Sequence, residues 1–222
     1  MDKENCCKYS EAKYCEEIHR LFNSMKRYSF PYNPNDIPLN GIYILFQEGE
    51  KAHGKDRIVR IGTHTGKDQL RSRLWQHFVN ENKDRSIFRK NIGRAILNKD
   101  KNPLLKQWEL DLTTKEDKDK YLKNIDMKKQ KEIEKQVTKY LQENFTFVVF
   151  EVLDKNERLA LESKIISTVS SCKDCKASTQ WLGNYSPKDK IRESGLWLVN
   201  ELYKEPLNEK DLIILKQKIT NL

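Results

Sequence analysis

An apolar run opening at Gly41-Ile42-Tyr43 and reaching Phe46 is answered by a second run, Arg57 to Ile61, across a turn of Glu48-Gly49-Glu50-Lys51 and Gly54. Two short apolar runs joined by polar, glycine-bearing residues read as a β-hairpin. The period then changes. Over residues 68–80, Leu70, Leu74 and Phe78 recur at helical spacing, the stripe of an amphipathic helix. A hairpin followed at once by such a helix predicts a layered domain on a small sheet.

The rest of the chain extends that plan. Residues 86–97 predict a second helix with Ser86 as its cap. Phe145 to Val152 is the most strand-like run, residues 155–170 return to helix, and 208–220 form a short terminal helix. Upstream, Ile18, Leu21, Phe22 and Met25 mark a helix over 8–28, and Pro31, Pro34 and Pro38 break the chain into a linker. Residues 99–142 are strongly polar and read as a variable insertion carrying a charged helix at 128–142. The expected fold is α/β (α+β), a small, mainly antiparallel three-stranded sheet flanked by helices. Its parts are a helical N-terminal extension (1–38), a central domain (39–205) and a C-terminal helix (206–222). No internal repeat is visible.

Composition narrows the classes of function. A mean hydropathy of -0.84 and 34% charged residues predict a soluble chain, and no run approaches the roughly 18 apolar residues of a membrane span. Met1 to Glu17 lacks the apolar stretch of a secretory signal. An odd cysteine count argues against a disulfide framework and for a reducing cytoplasm. The formal charge is +9, and it is concentrated: residues 66–106 hold eleven Lys and Arg against Asp68, Glu81, Asp84 and Asp100, a balance of +7. Such an excess on one segment points to a polyanion partner. Arg71, Arg85, Arg89, Lys90 and Arg94 are the candidate contacts within it.

Five further side chains are candidates for chemistry. Tyr43, on the first strand, is either packing or a phenol able to exchange a proton with a nearby water. Arg73 and His77 lie four apart on a helix, beside the apolar stripe, and are expected to face a groove. Arg73 can fork onto a phosphate oxygen, and His77 can shuttle a proton. Glu162 interrupts an apolar stripe of Leu159, Ile166 and Val169. A carboxylate there is costly unless it is paired or holds a cation, so it is a salt-bridge partner or a ligand for a hard divalent ion. In the loop at Trp181-Leu182-Gly183, Asn184 can position a phosphate or a metal-bound water. Cys172 and Cys175 form a CxxC pair, with Cys6, Cys7 and Cys15 far upstream. That spacing fits no common zinc ribbon or finger, and a free pair in a loop is expected.

Taken together and in order, Gly41-Ile42-Tyr43, Val59-Arg60-Ile61-Gly62-Thr63, Leu70 through His77, Ser86-Ile87-Phe88-Arg89, Leu161-Glu162 through Ile166 and Trp181-Leu182-Gly183 resemble the GIY-YIG endonuclease superfamily. The branch is the one with an RIG-type second motif, a SIFR segment and a WLG loop ending in Ser194-Gly195-Leu196-Trp197. The resemblance covers roughly residues 39–200. It implies that Tyr43 matches the catalytic tyrosine, Arg73 the phosphate-binding arginine, His77 the residue one turn later and Glu162 the single metal ligand. One ion, Mg²⁺ or Mn²⁺, is then implied, acting in phosphodiester hydrolysis. Arg60 stands where the family's second tyrosine is usual. The asparagine often found beyond the glutamate helix has Asn184 as its candidate and Asn200 as a poorer one. The implied function is a metal-dependent DNA endonuclease, restriction-type, with a homodimer for double-strand cleavage. The alternatives are a repair or mobile-element nuclease, and a non-catalytic nucleic-acid-binding protein of the same fold.

Overall fold

The computed structural model describes residues 3–220, with side chains from residue 12 onward. A long helix, α1 (Lys3–Asn23), leads through the proline linker and a two-residue strand, β1 (Tyr28–Ser29), into the hairpin of β2 (Gly41–Ala52) and β3 (Lys55–Gly62). Helices α2 (Leu70–Phe78), α3 (Ile87–Lys99), α4 (Leu105–Glu109), α5 (Lys115–Tyr121) and α6 (Met127–Asn144) follow. Strand β4 (Phe145–Glu151) then returns to the sheet, and α7 (Lys155–Ser171), α8 (Asp189–Ser194) and α9 (Glu209–Thr220) complete the chain. The first helix begins and ends about one turn earlier than periodicity indicated.

The sheet is four-stranded and antiparallel, in the order β1-β4-β2-β3. Three strands were legible. The fourth, β1, pairs only Tyr28 with Phe147 and Ser29 with Thr146, and two residues are too few to show alternation.

Both faces of the sheet are covered, which is why its strands read as nearly continuous apolar runs rather than alternating ones. Alternation is still present in what each residue touches. Tyr43, Leu45, Phe147 and Val149 pack with Leu74 and Phe78 of α2, Phe88 and Ile92 of α3, and Val137 and Leu141 of α6. Ile42, Ile44, Phe46, Val148 and Phe150 pack on the other side with Ile18 and Phe22 of α1, Ile165 and Val169 of α7, and Leu215 of α9.

Strand β3 breaks this alternation at one place. Leu45 pairs with Arg60, but Phe46 pairs with Ile58, so Val59 is an extra residue, a β-bulge. Its carbonyl accepts from the Trp197 amide at 2.8 Å. Beyond the bulge the faces swap: Val59 joins the Tyr43 core and Ile61 the opposite one. Arg60, level with Leu45, shares the Tyr43 face. Two motif glycines are explained by close approach. A Cβ on Gly62 would stand 2.2 Å from Tyr43 Oη, and one on Gly41 would stand 2.2 Å from the Phe150 carbonyl oxygen.

The polar segment after α3 is no loose excursion. Ile133, Val137 and Leu141 of α6 enter the core, and Glu134 is buried against Arg89. Arg89 Nη2 lies 2.8 Å from Glu134 Oε2 and 2.7 Å from Thr138 Oγ1, while its Nη1 donates to the His77 carbonyl. Lys90 and Lys83 are held by Asp84, and Arg94 by Glu109. Four of the eleven basic residues in 66–106 are thus buried in internal ion pairs. Concentrated positive charge in the sequence is partly an internal electrostatic frame here.

Glu134→Ala should therefore destabilise the fold by about 3–5 kcal/mol, because it leaves the Arg89 guanidinium buried without its carboxylate. Urea unfolding reads this as a lowered midpoint, with Glu132→Ala on the exposed side of the same helix as the control near zero. A loss no larger than the control's would mean that water screens the Arg89 pair.

Candidate active site

Tyr43, at the start of β2, points into the α2–α3 side of the sheet with no exposed surface. Its Oη lies 2.8 Å from His77 Nε2, and His77 Nδ1 lies 2.7 Å from Ser86 Oγ. Ser86 is the N-cap of α3 and accepts the Arg89 amide at 3.2 Å. A neutral imidazole donates from one ring nitrogen and accepts at the other, so His77 bridges the hydroxyls of Tyr43 and Ser86. Arg60 Nε donates to the Tyr43 oxygen over a longer 3.4 Å.

Helical spacing predicted that His77 faces a groove. Instead it is fully buried, edge-on to Tyr43 and to Phe88. Burial, with Arg60, Arg73 and Arg89 nearby, pushes its pKa well below the usual histidine value, so it is neutral. It acts as a link between the α3 cap and Tyr43 rather than as a wall of the groove.

The groove lies on the other side of Arg60. A cleft of about 450 Å³ is lined by Arg60, Arg73, Ile87, Asn91, Leu159, Glu162, Asn200 and Glu201 among others. The Arg60 guanidinium lies over the Phe88 ring at 4.8 Å and donates to the Trp197 carbonyl, so Arg60 touches both Tyr43 and the cleft. Arg73 reaches in from α2, with Nη1 donating to Gln76 and to the Arg85 carbonyl, while its Nε is buried and has no partner among the described residues. Glu162, from α7, forms no salt bridge among the described residues. Burial raises its pKa above the usual carboxyl range, to about 7, against the opposing pull of Arg60, the Thr63 amide and Arg73 and with a contribution from Glu201. A carboxylate and an amide oxygen (Asn200) on one cleft are hard donors suited to Mg²⁺ or Mn²⁺. Glu201 is already engaged by Ser163 and Lys204.

The remaining candidates separate. Asn184 is exposed, donates to the carbonyls of Ser178 and Thr179, and lines a different pocket. Asn200, the poorer sequence candidate, is the one in the cleft. Arg89 is buried against Glu134, Lys90 pairs with Asp84, and Arg94 forks onto the half-exposed Glu109. Arg71 is tied back to the Ile37 carbonyl and Asn35 of the proline linker. Arg85 remains exposed, beside Arg73. The Trp181 loop is an anchor: Trp181 Nε1 and Trp197 Nε1 both donate to Gln47 Oε1, at 3.0 and 3.1 Å. Sequence reasoning missed Ser86 as a partner of the site and missed the role of Trp197, because both contacts depend on tertiary distance.

A family model described as GIY-YIG domain matches residues 13–222 of the chain. No curated protein and no solved structure matches it.

The buried neutral His77 gives a pH test. Its pKa is depressed in the folded state, so the unfolded chain binds the extra proton. Stability is complete above the unfolded value near 6.5 and falls as the pH drops below it, by up to about 1.4 kcal/mol per pH unit. His77→Gln should flatten this slope between about pH 6.5 and 5, measured as urea midpoints against pH. An unchanged slope would show that His77 takes up its proton in the folded chain.

Proposed function

The chain belongs to the GIY-YIG family, and on that premise we propose that it is a metal-dependent DNA endonuclease that hydrolyses phosphodiester bonds. One observation carries this reading. Among the described residues, Arg73 Nε has no hydrogen-bond partner and the half-buried Glu162 carboxylate no salt bridge, and the two residues line the same cleft. A buried donor left open is costly, and a phosphate suits Arg73 as a cation suits Glu162.

Glu162, with Asn200 beside it, would hold one divalent ion, which when bound supplies Lewis-acid stabilisation of phosphate charge and of the leaving oxygen. The chain's own residues do the rest. Arg73 binds a phosphate oxygen and orients it. Arg60, where the family's second tyrosine is usual, presents a fixed cation to both the phosphate and the Tyr43 oxygen. Tyr43 takes the proton of the attacking water as its own passes along the 2.8 Å bond to His77 Nε2, and Arg60 Nε faces the same oxygen. Ser86 is a positioning residue, holding the His77 ring against Tyr43 through its contact with Nδ1. Within the nuclease class we read the protein as restriction-type, cutting both strands as a homodimer because each cleft addresses one phosphodiester.

Glu162→Ala is expected to abolish cleavage of plasmid DNA in Mg²⁺ or Mn²⁺ while DNA affinity, read by gel shift, stays equal or rises. Cleavage at the wild-type rate would remove Glu162 as the metal ligand. A wild-type chain that binds DNA yet never cuts it in either metal would favour the binding protein, the reading that Arg60 in place of a tyrosine supports.

Tyr43→Phe keeps the ring and its packing but should slow cleavage by about 10²-fold or more, the scale of acid–base contributions. Ser86→Ala should also slow the chemical step, and its loss of a helix cap should cost only about 1 kcal/mol of stability. If single-turnover rates for Tyr43→Phe match wild type, the phenol is a packing group and the proton leaves by another path.

A further inference from the structure

A second group of metal-ligating side chains lies away from the cleft, at the far end of the hairpin. Cys15 of α1, His53 of the β2–β3 turn, and Cys172 and Cys175 in the turn after α7 bring their ligand atoms within 4.8 Å of one another. Cys15 Sγ is 3.3 Å from Cys175 Sγ, and His53 Nε2 is 3.6 Å from Cys172 Sγ and 3.4 Å from Cys175 Sγ. A tetrahedral zinc with Zn–S of about 2.3 Å separates its ligand atoms by about 3.8 Å, so these spacings lie within about half an ångström of such a shell. The same 3.3 Å is far longer than a disulfide bond of about 2.05 Å.

The surroundings are built to hold this cluster. Cys15 and Cys175 are almost wholly buried and Cys172 nearly so, in the apolar core under α1 and α7. His53 and Gly54 both have positive φ, 51° and 67°, which makes a two-residue turn of the primed type. Histidine is among the non-glycine residues that more often adopt this conformation, and the turn brings the His53 ring to the thiols. The Cys175 amide donates to the Cys172 carbonyl, closing the CxxC turn. Behind Cys15, His19 uses both ring nitrogens on backbone: Nδ1 donates to the Cys15 carbonyl at 2.8 Å and Nε2 accepts the Ile58 amide at 3.2 Å. It braces the cluster as an outer support and is not a fifth ligand.

We propose that Cys15, His53, Cys172 and Cys175 form a structural Cys3His site for one Zn²⁺. Three thiolates select a soft or borderline ion over the Mg²⁺ or Mn²⁺ suited to the oxygen donors of the cleft. Four protein ligands leave no open position, so the ion has a structural role rather than a catalytic one. Binding releases the three thiol protons to solvent and changes no oxidation state. The ion pins α1, the hairpin turn and the segment after α7 together. That segment continues to Ser178, which bonds Glu50, and to Trp181, which bonds Gln47. The CxxC pair, free of disulfides as expected, gains its further ligands at positions 15 and 53, too dispersed for any spacing pattern.

The test is metal analysis of the full chain purified without chelator, together with thiol counting and intact mass. One zinc per chain is expected, and Cys172→Ser/Cys175→Ser should bring it to near zero. Because that variant is exposed to misfolding, two others keep the test decisive. His53→Cys should keep the zinc, and Cys6→Ser/Cys7→Ser should keep it too. Co²⁺ added to the metal-free chain should give thiolate-to-cobalt charge-transfer absorption and the intense visible bands of a tetrahedral ion. Folded protein that holds no zinc after zinc supplementation, with all thiols reduced, would overturn the proposal. So would an intact mass short by two hydrogens, the mark of a disulfide, or loss of zinc on replacing Cys6 and Cys7.

Discussion

The site depends on two neighbouring residues of one strand facing the same way. In a regular strand Val59 and Arg60 would point to opposite faces. The extra residue at Val59 re-phases β3, so the Arg60 side chain emerges beside Tyr43 while Ile61 returns to the other core. Trp197 supports the device from outside the sheet, with its amide on the Val59 carbonyl and its carbonyl receiving Arg60. Remove the bulge and a guanidinium would enter the apolar layer beneath α1 and α7, where nothing described offers it a partner. The absence of a Cβ on Gly62 belongs to the same arrangement, since it lets the Tyr43 ring lie against β3.

From that point the polar groups divide into two kinds. Arg57 with Glu50, Arg89 with Glu134 and Arg94 with Glu109 are completed pairs, and they stiffen the frame between the sheet and the helices. Arg73 Nε is left without a partner among the described residues, in the cleft that Glu162 also lines. Low dielectric makes a completed pair specific and an open group costly. The chain of Ser86, His77 and Tyr43 joins the two kinds: the residue that caps α3 also holds the histidine that meets Tyr43. An α3 that frays would thus disturb the site without touching the cleft.

Much of the scaffold was legible because its signals are local. The β2–β3 hairpin, the stripe of Leu70, Leu74 and Phe78, the Ser86 cap and the apolar β4 each follow from periodicity or turn chemistry within about a dozen residues. The Glu162 anomaly was legible for the same reason, as a carboxylate breaking an apolar stripe. Charge summed along the chain was less legible: Arg89 and Arg94 belong to the basic segment, but their acidic partners, Glu134 and Glu109, lie outside it.

The amino-acid sequence by itself determined the elements, the class of fold and the ordered set of Tyr43, Arg73, His77 and Glu162, because helical and strand periods and residue chemistry are properties of neighbours. Tertiary structure alone decided which of these meet. It buried His77 behind Tyr43, set Arg60 in contact with both the phenol and the cleft, put Asn200 rather than Asn184 on that cleft, and drew Cys15 and His53 to the CxxC turn. Each of these rests on a bulge, a turn or a packing distance between segments tens of residues apart, and no local pattern encodes such a distance.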